Sequence, residues 1–184
     1  MNLNQIESKF GRYAKEDWSP IAEVILDIAT ENPDDCLTHI RCVYGLHNIL
    51  LEEDVSINFI ETYSPKLLTV YQEGQKRFPE SPDYLFFVGS ILHIAEWYFG
   101  LNDDIKPMKD RLAFRMTESA LGLEPKNLVF QWGHYRSRWE IEIADRTGSA
   151  ILAKEGGWLT WLESFAFLGE YIKTKIITSL TEAR

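Results

Sequence analysis

Cysteine is scarce in this chain: Cys36 and Cys42 are the only two among 184 residues. Six positions apart on a predicted helix, they point to different faces, which argues for reduced core thiols and against a disulfide. Long uncharged apolar runs are missing as well. No stretch reaches the roughly 18 to 20 residues needed to cross a bilayer, and MNLNQIESKFGRYAKEDW holds no apolar core of signal-peptide length. The expectation is a cytoplasmic protein that avoids membranes. Positive charge is in deficit, with 19 Lys and Arg against 28 Asp and Glu and a net charge of −9. That balance opposes binding to phosphate backbones, makes nucleic acid the least expected direct ligand and favours a basic protein partner.

Recognisable chemistry is also lacking. There is no Gly-x-Ser-x-Gly elbow, no P-loop and no Gly-x-Gly-x-x-Gly turn. Cys36 and His39 share a helix face, but Cys42 does not join them and no second cluster completes a tetrahedral zinc set. His93 and Glu96 reverse the order of the Glu-x-x-His element of di-iron bundles, and no second copy exists. The chain is therefore expected to bind no metal or cofactor and to act without catalysis.

What is present is a well-stocked core. Hydrophobic residues make up 45% of the chain, with six Trp. A single domain over 1–184 should bury roughly 70% of the surface of its unfolded chain. Its centre is predicted at PDYLFFVGSILHIAEWYFG, where Ser81 caps, Pro82 opens and Gly100 stops a helix with no polar stripe. Such a helix has to be covered on every side.

A repeat surrounds it. Pro33, Pro79 and Pro125 are spaced by 46 residues, Gly45, Gly89 and Gly133 by 44, and Ser19-Pro20 and Ser64-Pro65 by 45. Each proline ends one apolar-periodic segment and precedes another, which predicts helical hairpins over 20–32 with 34–51, 65–78 with 82–100, and 108–123 with 126–145. Leu3, Ile6, Phe10 and Tyr13 predict a short leading helix, and 55–63 a short extra one. A turn is predicted at 146–149, followed by an amphipathic C-terminal helix carrying Trp158, Leu162, Phe165, Ile172, Ile176 and Leu180. The alternation at 139–143 is compatible with helix or strand. The fold expected is thus all-α: three stacked antiparallel helical hairpins (about 19–52, 64–100 and 108–146) and a C-terminal cap over 149–184. The excess of aromatics in that cap leaves room for a homodimer.

The segments Ala113-x3-Thr117-x2-Ala120-Leu121-x3-Pro125 and Leu85-x2-Val88-Gly89-x2-Leu92 resemble the second and first helices of the tetratricopeptide-repeat superfamily. The period here is 44 to 46 rather than 34, and Leu85 and Leu92 stand where that family has Trp and Tyr. The resemblance covers about 20–146. It implies a superhelix whose first-helix equivalents line a concave groove, which places Tyr44, His47 and Asn48 beside Ser90, His93 and Trp97, with Trp139 as the third-copy counterpart of the two histidines. A run of i,i+4 charge pairs, Arg136 with Glu140, Arg138 with Glu142 and Glu142 with Arg146, reads as a solvated helix face. Glu52, Glu53, Asp54, Asp103 and Asp104 follow the second arms and should meet on one acidic edge suited to a basic partner. Part of that acidity serves helix capping. The function expected is a protein-binding module, of the kind an immunity, inhibitor or chaperone-like protein would be. The alternative is an enzyme or small-ligand binder with a pocket lined by His47, His93 and aromatics.

Overall fold

The structure is a computed structural model that describes residues 1–11, 17–102, 105–153 and 156–182. Among them every regular element is helical: α1 (Leu3–Glu7), α2 (Ser19–Glu31), α3 (Cys36–Glu52), α4 (Ile57–Arg77), α5 (Pro82–Ala95), α6 (Leu112–Leu123), α7 (Leu128–Ser137), α8 (Ile141–Leu152), α9 (Trp158–Glu163) and α10 (Ala166–Glu182), with 3₁₀ turns at Glu96–Phe99 and Met108–Asp110.

The 46-residue spacing corresponds to one turn made three times. Asn32, Phe78 and Glu124, each just before a spaced proline, end α2, α4 and α6 with φ between −126° and −121°. Asp35, Ser81 and Asn127, each two residues after it, cap α3, α5 and α7 by accepting a backbone N–H at the helix start. Across each turn the cap's own N–H donates to the carbonyl three residues back, at 3.3, 3.2 and 3.0 Å. Proline fits because the position needs no N–H and biases the preceding residue away from helix.

α5 is the buried centre. Tyr84, Phe86, Phe87 and Val88 are fully enclosed, with α3 on one side and α6 on the other. The approach to α6 is close enough that a Cβ on Gly89 would stand 3.1 Å from the Ala113 carbonyl oxygen. The C-terminal aromatics cover the remaining side: Phe165 lies 4.0 Å from Phe87 between ring centroids, and Trp161 5.8 Å from both Phe87 and Phe130. That cluster faces inward. The chain's two ends also meet. Glu7 forms a two-point ion pair with Arg41 of α3, at 2.8 and 2.9 Å, and accepts the Phe167 N–H at 3.4 Å. The Phe167 ring packs edge-on against Phe10 at 5.6 Å.

Several boundaries differ from expectation. Ser64-Pro65 does not start a helix; α4 begins eight residues earlier, capped by Ser56, and runs through Pro65. The apolar stripe of Phe59, Tyr63, Leu67, Val70, Tyr71 and Gly74 is continuous across the proline. Its burial outweighs the roughly 3 kcal/mol that an interior proline costs. Ser19 is the first residue of α2, and the preceding Asp17 carboxylate accepts its N–H at 3.0 Å. The third hairpin's second arm stops at Ser137. Trp139, at φ 61°, breaks the chain there, and α8 then runs straight through the predicted turn at 146–149. Residues 139–143 are thus neither strand nor continuous helix, and the predicted charge ladder is interrupted: Arg138 pairs instead with Glu118 of α6 at 2.8 Å. The C-terminal segment is likewise two helices, α9 and α10, with Ala166 at φ 51° at their junction.

Candidate binding groove

α3 and α5 each turn some of their polar residues toward α10. On α3, Tyr44, His47 and Asn48 line a recess of about 250 Å³ together with Glu52, Ile94 and Tyr171. On α5, Ser90 and His93 line a neighbouring one of about 490 Å³, walled by Trp132, Gly133 and Arg136 of α7 and by Tyr171, Lys175 and Thr178 of α10. A third, of about 160 Å³, holds Trp97, Leu101 and Asn102. Ile94 is common to all three, Tyr171 joins the first two, and His93 and Arg111 join the last two. The recesses form one row.

Six of the predicted groove residues therefore fall along one face, though at different depths. Tyr44, His47 and Asn48 are buried at the floor, Ser90 is half-buried, and His93 and Trp97 are exposed, Trp97 at 60%. Depth follows from packing: His47 stacks on Phe99 at 5.6 Å and meets Tyr98 edge-on at 6.2 Å. Its Nε2 and the Asn48 Nδ2 have no hydrogen-bond partner among the described residues. Burial lowers the His47 pKa to about 4, so the ring is neutral at pH 7, and burial likewise pushes the Tyr44 hydroxyl up. His93 is also held below its ordinary value, by desolvation first and the Arg111 charge second. Trp139 lies outside the row, on the far side of the α7 break, with 77% of its surface exposed.

The acidic edge is only partly drawn. Glu52 and Asp54 are exposed, but Glu53 turns inward and accepts the Gly11 N–H at 3.2 Å. The buried Glu53 carboxylate is thus a backbone acceptor, which a surface edge does not require. Asp103 and Asp104 lie outside the described residues. His39 is a core side chain whose Nε2 is 2.7 Å from the Val70 carbonyl, and among the described residues no three His, Cys, Asp or Glu side chains gather as a metal site requires.

Sequence reasoning missed the cations. Arg111, Arg136 and Lys175 come from three separate elements, so no local pattern joins them. The one available signal was Arg111 at the start of α6, where the helix dipole favours a carboxylate. The chain matches no protein-family model, no curated protein and no solved structure.

Proposed function

We propose that this chain is a non-catalytic binding module whose protein partner, basic in character, lies along the row of recesses between α3, α5 and α10, as an immunity, inhibitor or chaperone-like protein would hold its target. The observation that carries this reading is the row itself, with polar side chains of two successive hairpins on one face and an exposed Trp97 at its end. A large aromatic beside a concave polar surface is the usual form of an interface anchor. The three like turns support a stack of hairpins resembling tetratricopeptide repeats, and the exposed Glu52 and Asp54 beside the first recess supply negative charge to steer a basic surface.

Immobilised protein should capture a stoichiometric protein partner, and Trp97→Ala and His93→Ala should each weaken capture while leaving melting almost unchanged. The on-rate should fall as salt rises from about 50 to 500 mM. Capture indifferent to both substitutions removes the groove from the interface.

A second reading, a small-ligand site, is favoured by one observation. The middle recess, at about 490 Å³, has the size of small-molecule sites and mixes apolar walls with a few convergent polar groups.

A further inference from the structure

In a chain with nine more negative than positive charges, the middle recess has the opposite sign. Arg111, Arg136 and Lys175 line it beside His93, which desolvation and the Arg111 charge hold toward its neutral form, and no carboxylate does among the described residues. Like charges drawn together raise the energy of the folded state, so the grouping needs a reason. Helix-end electrostatics account for one of them: Arg136 sits in the last turn of α7, where a cation complements the dipole. The same rule works against Arg111, which occupies the N-cap of α6. It says nothing of Lys175, which lies inside α10.

Neither do ion pairs explain Arg136 and Lys175. Lys175 has no carboxylate three or four residues away on its helix, and Glu140, four residues after Arg136, lies beyond the helix break. Among the described residues neither Lys175 nor Arg136 forms a salt bridge, whereas Arg138, two residues on, does. Lys175 Nζ is instead 5.2 Å from the centroid of the Tyr171 ring, a second wall of the recess. The Arg111 guanidinium donates to the Lys106 carbonyl at 3.1 Å, and its charge reaches His93. Ile94, Met108 and Trp132 add apolar wall.

The geometry points to an anion site: we propose that the recess between α5, α7 and α10 binds a small organic anion, a phosphate monoester or carboxylate on an apolar body. Its head group meets Arg136 and Lys175, and its body lies against Ile94 and Trp132. A guanidinium offers such head groups two parallel N–H donors, and an ammonium beside it adds a point charge. This inference rests on the small-ligand reading, and the positive sign of the middle recess opposes a basic partner lying directly over it.

Titration calorimetry in low salt with 2-naphthyl phosphate, 2-naphthoate and neutral 2-naphthol tests it. At least one of the two anions should bind with Kd of about 1 mM or tighter, and the tighter of them identifies the head group. Naphthol should bind about tenfold more weakly or not at all. The double variant Arg136→Gln/Lys175→Gln should weaken the anion by about tenfold or more without shifting the melting of the ligand-free protein. Thr178→Trp, which fills the exposed rim with charges intact, should block all binding. Naphthol bound as tightly as the anions, and blocked by Thr178→Trp, would keep a ligand pocket and overturn the anion site. Anion binding unmoved by the double variant overturns it as well, and no binding by any probe overturns both.

Discussion

Two helix ends in this protein are locked by the same pair of hydrogen bonds and differ in the residue that carries the strained backbone. After α5 and its 3₁₀ extension, Gly100 at φ 66° donates its N–H to Trp97 at 3.1 Å, and Leu101 donates to Glu96 at 3.3 Å. After α7, Trp139 at φ 61° donates to Arg136 at 3.2 Å, and Glu140 donates to Tyr135 at 3.0 Å. The left-handed conformation is free for glycine and costs an L-residue about 1 to 2 kcal/mol. The first stop is therefore announced by its residue and the second is not. Backbone geometry at a helix end is set by how the next element packs, here α8 against α7, and a local sequence signal is present only where the chain uses the residue best suited to it.

The most severe way to break the comparison lies at the other unannounced junction, between α9 and α10. A Cβ on Gly169 would stand 1.8 Å from the Leu162 carbonyl oxygen, and backbone cannot yield as a side-chain tip can. Gly169→Ala should cost about 4 kcal/mol or more and uncover Phe87 and Phe130. A urea midpoint near that of the parent would show that α9 does not sit so close.

The regular first half conceals an acid-sensitive element of its own. The folded-state pKa of His47, about 4, lies below the ordinary 6.5 because of burial. The stability held by the neutral ring is thus complete above pH 6.5 and is lost as pH falls from there toward 4, by on the order of 3 kcal/mol. His47→Phe keeps the stacking on Phe99 and removes the proton. Its stability relative to the parent should rise steadily across that window in urea titrations, and a constant difference would mean that the ring is hydrated.

The smallest effect sharpens the comparison most directly. Gly100→Ala should destabilise by about 1 kcal/mol, whereas Trp139→Gly, which releases a strained residue at 77% exposure, should be neutral or stabilising by up to about 1 kcal/mol. Equal losses in both would mean that Trp139 is held by contacts worth more than its backbone strain.

The legible parts of this molecule are those where one residue type carries a unique job. Pro33, Pro79 and Pro125 disclose by their 46-residue spacing a turn made three times, and the caps Asp35, Ser81 and Asn127 follow each of them by two residues. Where a similar signal has two uses, reading fails: Ser64-Pro65 looks like a helix start, but the stripe from Phe59 to Gly74 carries the helix through it. The groove divides the same way. Tyr44 with Ser90 and His47 with His93 stand 46 residues apart on two helices, which is why the sequence points to one shared face for them, and Asn48 follows His47 directly. Arg136 is brought to them by α7, whose Phe130 and Gly133 pack on Phe86 of α5, and Lys175 by α10, which returns to the recess after two breaks that carry no announcing residue.

The buried Glu7 carboxylate, shared between Arg41 of α3 and the Phe167 N–H at the start of α10, bears on how this molecule comes apart. A linear array of hairpins frays from its ends, because each unit touches only its neighbours and the terminal ones have one neighbour fewer. Here the first helix, the third and the last meet at one anion: loss of α1 leaves the Arg41 guanidinium without its carboxylate, and loss of α10 takes an N–H donor from Glu7 and uncovers the ion pair. Native-state hydrogen exchange should accordingly show α1 and the first turns of α10 opening in the same event as the centre, with no gradient of protection running inward from the termini.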